Sequence, residues 1–212
     1  EQLDNAAWVK SNTTVTPNAT TAPDGTLTAD NIYTLNSGVI RRSDSIPIGT
    51  YVLSVHAKAN TSSFVAIQHG QNSSAYKYWF NLSNGTIGSK SSGASGIHSI
   101  KSAGNGWYIC SVTFYYDGTS AIKDFFPAPS DGVNPVNDSV YLWGAQLENV
   151  TGQSVQTAGE YVSTNVLTSA PYHGANVDGV KYFTTKLDGS AIPDATLKGY
   201  LAEGQRTNLV TY

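Results

Sequence analysis

The sequence predicts an all-β protein whose main body is an antiparallel β-sandwich. Residues Val140–Glu148 are largely apolar at both alternating sets of positions, which is typical of a strand covered on both faces. Other strand-like segments recur at short intervals between turn signals such as Pro23-Asp24-Gly25 and Asn84-Gly85. No segment of useful length has a helical period. These observations predict two β-layers, closed by the strand at Val140–Glu148.

The first half of the chain contains several short strand candidates. Tyr51–Lys58 alternates most clearly and should direct Tyr51, Leu53, Val55 and Ala57 to one face. The other face would then carry Val52, Ser54, His56 and Lys58. The remaining predicted strands are Trp8-Val9, Thr13–Thr16, Asn31–Leu35, Val39–Arg41, Phe64–His69 and Tyr76–Leu82.

The second half adds one long strand at Gly106–Tyr116 before the closing strand. Residues 88–96 are rich in Gly and Ser and are expected to form a mobile loop. Residues 127–138 contain three prolines and should form the loop that leads into the closing strand.

The pattern weakens after residue 150. Val180–Leu187 and Lys198–Ala202 are further strand candidates, but so short a tail cannot build its own core. We therefore expect a sandwich over residues 1–155. Residues 156–212 would form a β extension that packs on the sandwich or on a neighbouring subunit.

The composition is low in charge, which favours some classes of protein over others. Only 13% of the 212 residues are charged, and the net charge is −3. This offers no basic surface for nucleic acid and fits an extracellular or virion protein. No apolar run approaches the roughly 20 residues of a membrane span, so membrane insertion is not expected.

Two further features concern single residue types. The only cysteine, Cys110, is expected to be a buried small hydrophobic residue and not a nucleophile. The chain begins with Glu and contains no Met, so we expect it to be a processed or excised piece of a longer polypeptide.

Several motifs in order resemble a jelly-roll module of bacteriophage tail and other virion proteins, which is similar to carbohydrate-binding modules. The motifs are Asn5–Lys10 with Ala22–Asp30, then Gly106-Trp107-Tyr108, and finally Tyr141–Glu148. The resemblance covers roughly residues 1–165 and implies a sandwich of jelly-roll type.

The end of the chain carries a separate resemblance. Gly199–Leu209 is similar to a segment that often lies just upstream of the opening motif in phage proteins. Here it follows the module, so we expect the chain to span one period of a longer or repeated polypeptide. A closing strand that completes a neighbouring module is one use for such a tail.

The best candidate for a binding site is a sugar platform on one sheet face. If Tyr76, Tyr78 and Phe80 face the core, Lys77, Trp79 and Asn81 face outward. Aromatic rings stack on the C–H faces of sugars, and polar side chains bond the hydroxyl groups. The predicted carbohydrate-binding residues are Trp79, His56, Lys77, Asn81, Gln68 and His69. The alternative is that Trp79 lies under a loop as part of the core.

Other conspicuous residues have simpler explanations. Trp8, Trp107 and Trp143 are expected in the core or at its rim. Arg41-Arg42 could bond a sugar acid, although a solvated strand end is the simpler interpretation. Eight Asn-x-Ser/Thr sequons follow mostly from a composition rich in Asn, Ser and Thr.

Structural calcium is the only cofactor that the sequence suggests. The resembling jelly rolls often carry such an ion near the chain ends, and Asp24, Asp30 and Glu148 could supply oxygen ligands. The same Asp-Gly-Thr segment is also an ordinary turn, and the dense Asp pattern of a dedicated calcium loop is missing from the sequence.

Catalysis is not expected. The four histidines lack metal-ligand spacing, and the sequence contains neither a Gly-x-Ser-x-Gly motif nor a phosphate-binding Gly-Lys-Ser/Thr loop.

The leading hypothesis is a non-catalytic module of a virion tail, fibre or decoration protein that binds host-surface or environmental glycans. It would contact other virion proteins and form a homo-oligomer, for instance a trimer. One alternative is a purely structural assembly or decoration protein. Another is the carbohydrate-binding module of a secreted polysaccharide-degrading enzyme.

Overall fold

The structure is a computed structural model that describes residues 2–70, 75–118 and 122–161, with the backbone of residues 176–177 and 180–181. Every regular element among these residues is a β-strand. The all-β prediction is therefore confirmed.

Ten strands form the main sheet. They are β1 (Val9–Thr20), β2 (Ala29–Ser43), β3 (Gly49–Ala59), β4 (Phe64–His69), β5 (Tyr76–Asn81), β6 (Thr86–Lys90), β7 (Ile97–Gly104), β8 (Trp107–Tyr116), β9 (Ile122–Ala128) and β10 (Asp138–Asn149). Their order is β6-β5-β4-β9-β2-β10-β3-β8-β7, with β1 paired to β2 and every pairing antiparallel.

Strand β2 belongs to both halves of the sheet because its two ends have different partners. Asp30–Thr34 pairs with β10, whereas Ile40–Ser43 pairs with β9. Between these ends, the pairing with β1 shifts register on either side of Asn12, which has a φ of 46°. Such a bulge locally interrupts the ladder and bends the strand.

The largest apolar cluster draws buried side chains from both halves of the sheet, including Val55, Ile67 and Val112. The ring of His69 on β4 stacks on that of Phe114 on β8, with 3.9 Å between the centroids. The two end strands also meet, because His98 Nε2 on β7 lies 3.0 Å from the carbonyl oxygen of Gly88 on β6. The sheet is thus nearly closed around one interior.

The predicted faces are confirmed for β3 and β5. Tyr51, Leu53, Val55 and Ala57 all belong to the core cluster, and so do Tyr78 and Phe80. Strand β10 is buried along most of its length, as its apolar residues of both parities indicated. Cys110 is buried in the same cluster.

Several predicted boundaries were wrong. Four short candidates in the first 43 residues are two long strands, β1 and β2. The expected loop at 88–96 begins inside β6, and the proline-rich loop at 127–138 begins inside β9. Strands β6, β7 and β9 were not among the predicted strands. Tertiary pairing overrides the weak local preferences of their Ser-, Lys- and Pro-containing sequences.

The chain divides into two compact units, and all ten strands of the main sheet belong to the first. In the second unit, the structure describes only a short antiparallel pair, β11 (Asn176–Val177) with β12 (Val180–Lys181). The rest of the predicted segments Val180–Leu187 and Lys198–Ala202 lies outside the described residues. Among the residues described, no helix is long and apolar enough to cross a membrane.

Candidate binding groove

A row of polar side chains crosses four strands on the outer face of the sheet. Arg41 on β2 lies opposite Asp124 on β9, which lies opposite Gln68 on β4. Gln68 in turn lies opposite Lys77 on β5. Directly opposed residues share a face, so the register brings these four together from distant parts of the sequence.

An apolar row runs beside the polar one. Phe126 lies opposite Ala66, and Ala66 lies opposite Trp79. These three form a small cluster with Ala128, against which Val39 packs. The outer face therefore carries polar and apolar rows side by side, and the apolar row is buried, with Phe126 1% and Trp79 4% exposed.

The two rows and the neighbouring loop enclose a groove with a volume of about 230 Å³. We call it the Arg41 groove. It is lined by Ser11, Ser37, Val39, Arg41, Gln68, Lys77, Phe126, Asn134 and Pro135.

A partly buried ion pair fixes one wall of the Arg41 groove. Arg41 Nε and Nη2 donate to Asp124 Oδ1 and Oδ2, each at 2.7 Å, and Gln68 Nε2 donates to Oδ2 at 2.8 Å. Burial raises the pKa of Asp124, although the hydrogen bonds from Arg41 oppose that rise. Conversely, the hydrogen bond to Asp124 raises the pKa of Arg41. The paired hydrogen bonds hold the guanidinium in place.

Lys77 forms the opposite wall. Its Nζ donates to Asn134 Oδ1 at 2.7 Å and lies 6.0 Å from the ring centroid of Phe126. The ammonium is therefore positioned by a loop amide and an aromatic face. None of the ion pairs among the described residues includes Lys77.

The structure brings together only part of the predicted sugar platform. Gln68 and Lys77 line the Arg41 groove, and Trp79 lies on the same face. However, Trp79 is only 4% exposed, and its Nε1 donates to the carbonyl oxygen of Val133 at 2.8 Å. Its ring thus lies beneath the 129–137 loop. Asn81 faces the same way and accepts a hydrogen bond from Ser83 N within its own turn.

The two predicted histidines lie elsewhere. His69 faces the core, where Nε2 lies 3.3 Å from the hydroxyl of Tyr78, and burial lowers its pKa to about 4. His56 lies on β3 against the rings of Trp143 and Tyr161. Burial also lowers the pKa of His56 to about 4, although Asp24 and the backbone of Gly144 oppose that shift.

The three calcium candidates do not form a ligand set. Asp24 caps its own turn by accepting from Thr26 N. Both carboxylate oxygens of Asp30 accept backbone N–H bonds, from Leu3 and Asn18, and Glu148 accepts one from Gly159. Among the described residues, no group of three or more His, Cys, Asp or Glu side chains could hold a metal ion. The donor set among the described residues does not fit calcium.

A second cavity lies on the outer face of β7 and β8, beneath the chain segment 157–160. Its volume is about 340 Å³, and its floor consists of Ser99, Lys101, Ile109 and Ser111. The remaining tryptophans, Trp8, Trp107 and Trp143, are buried as expected.

Sequence reasoning missed several contributors to the Arg41 groove, among them Asp124, Phe126 and Asn134. Asp124 and Phe126 share one face with Phe125 between them, so no polar–apolar alternation indicates this strand in the sequence. No local signal indicates that Arg41 has its partner 83 positions later.

Comparison with models of known protein families gives no match, and comparison with curated proteins also gives none. The geometry of the Arg41 groove is therefore the basis for inferring a function.

Proposed function

We propose that the protein is a non-catalytic glycan-binding module and that the Arg41 groove is its binding site. The single observation that carries this proposal is the convergence of Arg41, Gln68, Lys77 and Asn134 beside the apolar side chains of Val39 and Phe126. Such a groove offers donors and acceptors for hydroxyl groups, and the partly exposed Val39 offers an apolar contact for C–H groups.

The scaffold proposed for this groove is a jelly-roll β-sandwich. Strand β2 would contribute its first half to one layer and its second half to the other, in line with its pairing to β10 and then to β9. The contact between His69 and Phe114 supports two facing layers. The proposed setting is a virion surface, where multivalent display would strengthen individually weak sugar contacts.

A glycan array probed with the intact protein tests this function. Ser11→Trp should abolish binding, because Ser11 is exposed and lines the groove, so that an indole would fill it. Thr14→Trp is the matched control, since Thr14 is exposed on the same strand but does not line the groove. If the intact protein binds no sugar on the array, or if both variants bind equally well, the groove is not a glycan site.

The second candidate function is a structural role in virion assembly as a homo-oligomer. It is favoured by exposed apolar side chains on adjacent strands, with Ile97 74% exposed and Tyr115 67% exposed. Ile97 lies opposite Thr113, two positions from Tyr115 on the same face. If this surface joins subunits, Ile97→Asp with Tyr115→Asp should reduce the mass measured by light scattering to that of one chain.

A further inference from the structure

Arg41 has a donor edge that its ion pair does not use. A guanidinium has five N–H donors, and the pair with Asp124 takes one from Nε and one from Nη2. The remaining donors lie on the Nη1–Nη2 edge, for which no described residue is an acceptor. The side chain lines the groove and remains 31% exposed. This edge can donate two parallel hydrogen bonds to a planar anion.

The charges around the groove sum to a positive value. Arg41 and Lys77 contribute two positive charges and Asp124 one negative charge, which leaves +1 in a chain whose net charge is −3. The local excess is therefore a property of this face, not of the overall composition. An anion entering the groove would meet Arg41 on one side and Lys77 on the other.

We infer that the Arg41 groove binds acidic saccharides through a sugar carboxylate, as in a uronic acid. This inference rests on the proposed function and specifies the class of glycan. The carboxylate accepts two hydrogen bonds from the Nη1–Nη2 edge of Arg41, with Lys77 as the second positive charge. Asn134 and the Oε1 atom of Gln68 are placed for hydroxyl groups, and the partly exposed Val39 contacts the ring C–H groups.

Isothermal titration calorimetry with the intact protein tests the inference. The probes are oligosaccharides of galacturonate, glucuronate, mannuronate and guluronate, each paired with its carboxyl-reduced neutral counterpart. At least one uronate should bind at least tenfold more tightly than its neutral counterpart, and its affinity should fall as salt is raised. A neutral counterpart that binds equally well overturns the inference and leaves the proposed function standing. If no uronate binds, the inference fails, and the glycan array shows whether the proposed function fails with it.

Two substitutions assign the charge to particular side chains. Lys77→Gln should weaken uronate binding at least fivefold, whereas Lys90→Gln makes the same change in net charge at an exposed residue that does not line the groove and should leave affinity unchanged. Arg41→Lys keeps a cation beside Asp124 but removes the paired donors, and should weaken binding at least tenfold. Equal effects of Lys77→Gln and Lys90→Gln would overturn the assignment.

Dextran sulfate tests for general anion binding. If dextran sulfate binds as tightly as the best uronate, the inference is overturned, because general anion binding would then replace carboxylate recognition.

Discussion

Asp124 is a fully buried carboxylate, and Arg41 is the cation paired with it. Its oxygens accept three hydrogen bonds, two from Arg41 and one from Gln68. A buried ion pair contributes little net stability, but the removal of one partner leaves an uncompensated buried charge. The pair therefore makes the geometry of the groove sensitive to single substitutions.

We expect Arg41→Met to lower the free energy of unfolding by about 3–5 kcal/mol, because Asp124 would remain buried without its partner. The double variant Arg41→Met with Asp124→Leu should recover most of that loss. Urea unfolding of the single and double variants measures both values. A double variant that is less stable than Arg41→Met would contradict this explanation.

His69 and His56 make the fold sensitive to acid. Burial lowers the pKa of each to about 4, whereas the unfolded chain should titrate near 6.5. The unfolded state thus binds more protons between these values, so stability is complete above about pH 6.5 and falls as the pH drops towards 4.

Replacement of the more buried histidine should reduce this dependence. Between pH 7 and pH 4, each histidine is expected to cost the folded state on the order of 2–3 kcal/mol. His69→Phe preserves ring packing against Phe114 and should remove about half of the loss contributed by the pair. Thermal unfolding at several pH values measures the slope, with His98→Phe, a partly buried position on the end strand β7, as a comparison. An unchanged slope in His69→Phe would show that this residue is not responsible.

Strand β10 contains an irregularity at Gly144. Its pairing with β3 passes from Trp143 opposite His56 to Gln146 opposite Ser54, so a bulge lies between them. Gly144 in this bulge has a φ of 59°, and Tyr161 packs directly over it. A bulge of this kind allows a strand to remain buried while its side chains are re-aimed.

Gly144→Ala should destabilise the protein by about 2–3 kcal/mol. The positive φ accounts for roughly 1 kcal/mol. The added Cβ would also lie 3.1 Å from the Tyr161 ring and 3.3 Å from His56 Nδ1. Gly152→Ala is the matched control, because Gly152 has a φ of 73° and open space around its Cβ position. Equal losses of stability in the two variants, measured by urea unfolding, would show that contact with Tyr161 has no part in the effect.

At the scale of the whole molecule, one nearly closed sheet supports three apolar clusters. The largest fills the interior and includes Trp8. A second, on one outer face, contains Trp107 and Trp143, and a third beside the groove contains Trp79. Because all the clusters share strands of the same sheet, loss of one should destabilise the others.

We therefore expect residues 2–161 to unfold in a single step. Tryptophan fluorescence of the variants Trp79→Phe and Trp107→Phe reports on different sides of the sheet, and both should give urea midpoints that coincide with those from far-ultraviolet circular dichroism. A separate early transition seen only when Trp79 is present would show that the groove face unfolds independently.

The alternation of side chains accounts for the parts of the fold that could be predicted. Along Tyr51–Lys58 and Tyr76–Asn81, each residue's face follows from the twofold period of a strand, and the structure confirms both assignments. Val140–Glu148 was likewise recognisable, because apolar residues at both parities require cover on both faces. These are local properties, because they depend only on residues that are neighbours in the sequence.

The groove depends instead on which strands become neighbours. Arg41 meets Asp124, and Asp124 meets Gln68, only because β9 lies between β2 and β4. The same pairing explains why Trp79, correctly assigned to the outward face, is covered by the loop that carries Val133. Local alternation specifies the face on which a side chain lies, whereas strand order and register specify its partners, and these depend on long-range packing throughout the chain.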